Sequence, residues 1–428
     1  MSKGRLWSAL LGCVVLLLPV SVGASGPAAA VPQQDQTPCD PASLPSVLEF
    51  DPRALAEVRC QALGGAPELQ PALNQLRSRA DRGLLVGPLS VTDRQSPAPS
   101  GDPHDYLSLS IYYWPNPNTP DGLPYVQRDG RVNPESTDRS RYDAARLGDM
   151  VRSVSTLSLA YYLTGDDRYG VKAADLLRGW FLDPASRMNP NMTYSQIIPG
   201  NSRVRGIGII DSREFLRVAD AASLLAGSSS WTIADQAGLQ SWMADLLTWL
   251  QESPNGKLEA REANNHGNWY DAQVAGLAIA TGNLELARQM LTTSAPARIA
   301  AQITPDGSQP LELARTRPLH YSAFNLQALQ ILASLGDRVG VDLWHARGDA
   351  EGPLLRAAMD YLLPALDGDP SLVGRDVTPF NPVTELGPLL AHAASTFPDG
   401  PYGARLVQVA SGADALTQLE LRLGAWTL

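Results

Sequence analysis

Two stretches of this chain concentrate side chains able to hold an anion and move a proton. Residues 264–271 read NNHGNWYD, and residues 312–321 read ELARTRPLHY. Histidine occurs only five times in 428 residues, yet one of the five, His266, stands among amides and aromatics. If Asn264 or Asn265 opens a helix, its side-chain amide can cap the first turn. Helical spacing then sets His266, Trp269 and Tyr270 on one face, and Asn265, Asn268 and Trp269 on a neighbouring one. A histidine beside a tryptophan is often a core residue, but the density of hydrogen-bonding groups here favours a site. In the second stretch Glu312, Arg315, Arg317, His320 and Tyr321 crowd together. Pro318 begins a helix, since proline is tolerated in a first turn, so Arg315 lies on the approach and Tyr321 in the first turns. The plain alternative is a surface Glu–Arg network, which is worth little energetically.

Two loops add further groups. Residues 104–135, HDYLSLSIYYWPNPNTPDGLPYVQRDGRVNPE, place Tyr106, Tyr112, Tyr113, Trp114 and Tyr125 among prolines and glycines, where no regular core face awaits them. Aromatic rings on ordered loops make a floor on which apolar sugar faces stack; a packed irregular loop is the other reading. Residues 188–211, MNPNMTYSQIIPGNSRVRGIGIID, supply Asn191, Tyr194, Gln196, Arg203, Arg205 and Asp211. The Gly206-Ile207-Gly208 within them lacks the strand–helix setting of a nucleotide fingerprint.

This set suits β-elimination in a uronate polymer. The proton at C5 is poorly acidic while the adjacent carboxylate is charged. Amide, imidazole and guanidinium donors that cancel that charge stabilise the enolate-like intermediate, an effect worth several kcal/mol. A tyrosine whose pKa an arginine depresses from about 10 can take the proton and return one to the leaving oxygen. Asn265, His266, Arg315 and Tyr321 are the residue types required, and neither metal, cofactor nor nucleophile need be invoked. A glycoside hydrolase would instead need two carboxylates flanking the bond; Asp211, Glu262, Asp271 and Glu312 are available, but the Arg/His/Tyr set would then lack a job. A secreted glycan-binding protein would keep the aromatics and not need Tyr321. The net charge of −10 excludes a nucleic-acid binder. It also means that a polyanionic substrate must find a local island of donors in a repelling field.

Several elements must position these groups. The first 26 residues begin with Lys3 and Arg5, run apolar from Leu6 to Val22 and reach small residues at Val22-Gly23-Ala24, as a secretory signal peptide does. Cleavage after Ala24, or as late as Ala30, leaves no membrane anchor and a secreted or periplasmic protein; residues 25–50 then form a leader. Cys39 and Cys60, the cysteines left after cleavage, read as a disulfide, with two buried thiols as the alternative. Residues 52–82 look helical, 84–141 lack periodicity, and from 143 onward amphipathic helices recur with apolar residues at three- and four-residue spacing. Glycine stops end several of them. Strand signals are scarce. Helices alternating with short loops suggest an all-α fold, an incomplete α/α barrel or toroid of helical hairpins, with residues 51–428 as one domain.

NNHGNWYD followed about fifty residues later by ELARTRPLHY resembles the alginate-lyase superfamily of polysaccharide lyases. The loops DYLSLSIYYWPNP…DGLPYVQRDGRVNPE and YSQIIPG…RGIGIID resemble its branch of broad-acting alginate and glucuronan lyases. The likeness spans roughly residues 100–345. It implies an α/α toroid in which Asn265, His266 and Arg315 neutralise the sugar carboxylate, while Tyr321 is the acid, and also the base for syn elimination. His266 would be the base for anti elimination. The choice of Arg315 over Arg317 rests on this resemblance. Tyr112, Tyr113, Trp114, Gln196, Arg205, Trp269, Tyr270 and Arg317 are the expected substrate-binding residues, and an anionic polysaccharide is the expected partner.

Overall fold

The recurring apolar spacing does fold as helices. The computed structural model describes residues 39–425 except Pro41, Pro370 and Val373; the signal peptide expected over residues 1–24 lies outside them. In place of one helix over 52–82 there are two, α1 (Pro52–Leu63) and α2 (Gln70–Leu84). Gly64 and Gly65 part them, Gly65 at φ +77°, where a side chain would be strained. Next come α3 (Ala144–Thr164), α4 (Asp167–Leu177), α5 (Phe215–Leu224), α6 (Ile233–Glu252) and α7 (Pro254–Glu259). The centre of the chain holds α8 (Asn265–Ala280), α9 (Leu284–Gln302), the single turn α10 (Pro310–Leu313) and α11 (Pro318–Val339). The last part adds α12 (Leu354–Leu362), α13 (Pro382–Glu385), α14 (Gly387–Thr396), α15 (Tyr402–Ala410) and α16 (Ala415–Arg422).

Helices α2, α3, α5, α8, α11, α14 and α16 each pack on the next, and α16 returns onto α2. A second layer covers this ring: α4 lies on α3, α6 on α8, α9 on α8 and α11, α12 on α11, and α15 on α14. The result is the α/α toroid that the helical periodicity implied. Such stacking requires ring helices apolar on nearly every side. In α8 only His266, Ile279 and Ala280 escape burial, and α11 is similarly enclosed.

The non-helical stretches carry β1 (Leu107–Leu109), β2 (Tyr113–Trp114), β3 (Val126–Gln127) and β4 (Tyr194–Ile197). β2 and β3 form an antiparallel hairpin, with Tyr113 opposite Gln127 and Trp114 opposite Val126. β1 and β4 pair in parallel and so join the two loops to each other.

The compact unit begins at Cys39, so residues 39–50 belong with the domain, not with a separate leader. Val47, Leu48 and Phe50 lie in the main core. Asp220 of α5 accepts from the backbone N–H of Leu48 and, at 2.9 Å, from that of Glu49. Cys39 and Cys60 are disulfide-bonded, as expected, with Cα atoms 5.2 Å apart.

Candidate active site

The N-termini of α8 and α11 carry the two motifs side by side, because the two helices pack against each other in the ring. Asn264 is the N-cap of α8, its side chain accepting from the His266 N–H at 3.2 Å. Asn265 is buried; its backbone N–H and its Nδ2 donate to the two oxygens of Glu312 at 2.7 and 2.8 Å. His266 keeps 15% of its side-chain surface exposed, and its Nδ1 lies 2.7 Å from Oε1 of the buried Glu259. This contact fixes the orientation of the imidazole ring. Gly206 fits against this corner because a Cβ there would stand 2.5 Å from the Glu259 backbone nitrogen.

Glu312 ties the two motifs together. It grips Asn265, and the charges of Arg315 and His266 both act on it. Burial raises its pKa above the usual carboxylate value, against those donors and cations. Three residues on, Arg315 stacks on Tyr321, its guanidinium carbon 3.8 Å from the ring centroid. Arg315 also forms a two-pronged pair with Asp129, at 3.2 Å from Nε and 2.6 Å from Nη2. Burial pushes the Asp129 pKa up, but the bonds and charge of Arg315 outweigh it and hold the carboxyl below its ordinary value. The loop carrying Asp129 turns at Gly130, φ +71°, where a Cβ would collide with Thr316 Oγ1 at 2.4 Å.

The Tyr321 hydroxyl donates to that of Tyr112 at 2.7 Å. The expected depression of its pKa by an arginine does not hold. Burial, then the charge and hydrogen bond of Tyr112, push it well above 10, and Arg315 offsets only part of this. Tyr321 is therefore a phenol at rest.

The expected substrate-binding residues divide. Tyr112 meets Tyr321, and Tyr113 lies under the Arg205 guanidinium at 5.5 Å. Trp114 lies under Arg128 at 5.3 Å and donates from Nε1 to the Arg131 carbonyl at 2.9 Å. Arg205 and Arg317 are partly exposed, and the Nε of each is buried without a partner. Gln196, by contrast, spends its Nε2 on Asp211 at 2.8 Å, from a backbone at φ +47°. Trp269 and Tyr270 are core residues, 3% and 6% exposed, and the Tyr270 hydroxyl donates inward to the Leu250 carbonyl. Trp269 and Tyr270 are turned into the core because α8 is enclosed on the faces that helical spacing assigned to the site.

Three of the four carboxylates of the hydrolase reading are occupied, Glu312 by Asn265 as above. Asp211 accepts from Tyr106, Ser108 and Gln196, and Asp271 is paired with Arg298 at 2.6 Å. Three residues at the site escaped the sequence reading: Glu259, Asp129 and Arg213. Arg213, on the 3₁₀ segment Ile207–Glu214, sits over the rings of Trp269 and Phe324.

Asn265 and His266 thus open one ring helix, and the Arg315–Tyr321 stack stands at the start of the next. A family model described as alginate lyase matches residues 90–372. Among solved structures, an alginate lyase from Bacteroides ovatus is 37% identical, with a TM-score of 0.84 over 89% of this chain and 100% of that one. The chain belongs to the alginate lyase family. Alginate lyase A1-III from Sphingomonas species A1 shares the fold at 17% identity, TM-score 0.54, over 90% of this chain and 98% of its own. A Tyr-to-Phe variant of that enzyme, complexed with a tetrasaccharide, matches at 16% identity, TM-score 0.52, over 91% and 97%. No curated protein matches.

Proposed function

We propose that this lyase cleaves 1,4-linked polyuronates, alginate first and glucuronan as a further substrate, by β-elimination. Asn265, His266 and Arg315 gather the carboxylate of the sugar to be deprotonated. The C5–H bond breaks as its electrons enter the enolate-like intermediate, a C4–C5 double bond then forms, and the C4–O4 bond breaks with proton delivery to O4. In the anti case Tyr321, a phenol at rest, donates that proton; in syn elimination it first loses its resting proton to solvent as the phenolate forms beside Arg315, then takes the C5 proton and passes it to O4. His266 Nε2, oriented through Glu259, serves as base for the anti case. The observation that carries this reading is the Arg315–Tyr321 stack, with Glu312 just ahead of it holding Asn265 beside His266. The tetrasaccharide bound by the Sphingomonas variant supports a glycan-binding cleft in the same fold.

Near-ultraviolet absorbance of 4,5-unsaturated ends, measured on mannuronate-rich alginate, guluronate-rich alginate and glucuronan, tests the reaction. Tyr321→Phe should lower kcat by about 10²–10⁴ while leaving oligosaccharide affinity within about twofold. Unaltered turnover would remove Tyr321 from the mechanism. We further propose that residues 1–24 are a cleaved signal peptide and that the mature enzyme is secreted or periplasmic; the mass of the protein recovered from culture medium or periplasm tests this.

A further inference from the structure

Arg213 stands outside every motif that the sequence singled out, yet it packs on two rings that follow His266 and Tyr321 by one helical turn. Its guanidinium carbon lies 5.8 Å from the Trp269 ring centroid and 5.7 Å from that of Phe324. The two rings are 5.0 Å apart and bridge α8 and α11. Trp269 follows Asn265 and His266 by four and three residues; Phe324 stands in the same relation to His320 and Tyr321. Residues so spaced share a helix face. The ring pair therefore lies one turn beyond the acid–base side chains on both helices, with the guanidinium braced against it.

The charge of Arg213 is only partly cancelled. Nη1 donates to the Ile210 carbonyl at 2.9 Å, and Nη2 lies 3.0 Å from Glu214. Glu214 is shared, however, with Arg217 at 3.4 Å, and Arg152 also acts on it. Glu49, the other acid beside Arg217, is buried and largely protonated at neutral pH. The Arg213 side chain keeps 32% of its surface exposed. A guanidinium held on aromatic faces on one side and open on the other is a receptor for a carboxylate.

We propose that Arg213 binds a carboxylate of the uronate chain and so sets the preference for charged over neutral glycans, an inference that rests on the polyuronate-lyase reading. The test measures calorimetric binding of a polyuronate oligosaccharide, and of its carboxyl-reduced neutral counterpart, to the full chain carrying Tyr321→Phe. Adding Arg213→Met should weaken binding of the charged oligosaccharide at least about tenfold and change the neutral one less than about twofold. Arg213→Lys should recover part of the loss, and it carries the comparison if the Met variant does not fold. Equal losses on both ligands, or none, overturn the proposal. Elimination kinetics with Tyr321 intact separate the two readings. Turnover with an unchanged KM in Arg213→Met overturns the role of Arg213 alone. Arg213-dependent binding without unsaturated ends overturns the elimination reading alone. Failure of the charged oligosaccharide to bind at all overturns both.

Discussion

Each donor that a sugar acid would meet leans on a carboxylate of its own: Asn265 on Glu312, His266 on Glu259 and Arg315 on Asp129. These acids reduce the net positive charge of the site, so its benefit lies in fixing donor directions before the substrate arrives. Glu259→Gln should therefore lower kcat/KM by about 10–100-fold with little change in melting temperature, as expected for a displaced catalytic group. Wild-type kinetics in that variant would reduce Glu259 to a packing role. A second test concerns the phenol pair. Tyr112 raises the Tyr321 pKa, so Tyr112→Phe should move the Tyr321 midpoint downward in an ultraviolet pH titration. The donors and Glu312 were legible in sequence because they cluster; Glu259 and Asp129 were not, standing 7 and 186 positions from their partners and outside both motifs.

Helices α8 and α11 are held in register by more than apolar packing. Asn268 Nδ2 donates to Gln302 Oε1 at 2.7 Å and to Asn325 Oδ1 at 2.6 Å, while Asn325 Nδ2 donates to Gln309 Oε1 at 2.8 Å. Asn268 and Asn325 are fully buried. Asn268→Leu strands the amides of Gln302 and Asn325 and should cost about 1–3 kcal/mol for each group left unpaired, measured by urea unfolding. Helical spacing placed Asn268 on one face with Asn265 and Trp269; the structure makes it part of the frame between the helices. Trp269 and Tyr270, expected to bind substrate, are buried in the same helix. A helix enclosed on all sides shows no polar face, so periodicity finds the element and cannot tell which face meets the cleft. Short helices such as α13 to α16 also went unread, since proline-broken segments of four to ten residues carry too few turns to establish a period.

Across the whole molecule the segment at residues 47–50 joins the toroid through buried acids. Burial lifts Glu49 to about 8 and Asp220 to about 6, from 4.5 and 3.8. A raised folded pKa means that the native state favours the proton. The stabilisation from Glu49 is thus complete below about 4.5 and is lost as pH rises through about 8. Glu49→Gln should therefore melt progressively higher than wild type as pH increases across that window; a constant difference would show that Glu49 does not titrate there. The toroid itself was legible because helix-and-loop alternation runs through most of the chain. The anchoring of residues 39–50 was not, because it depends on partners in α5 and α11 distant in sequence.

With α16 seated on α2, the circle of helices is shut by two elements far apart in the sequence. Synthesis delivers the first of these long before the last, so every nascent chain carries a half-finished ring whose opening edge, the apolar side of α2, waits uncovered for residues 415–422. Closure of the ring therefore waits on the synthesis of α16, more than three hundred residues after α2.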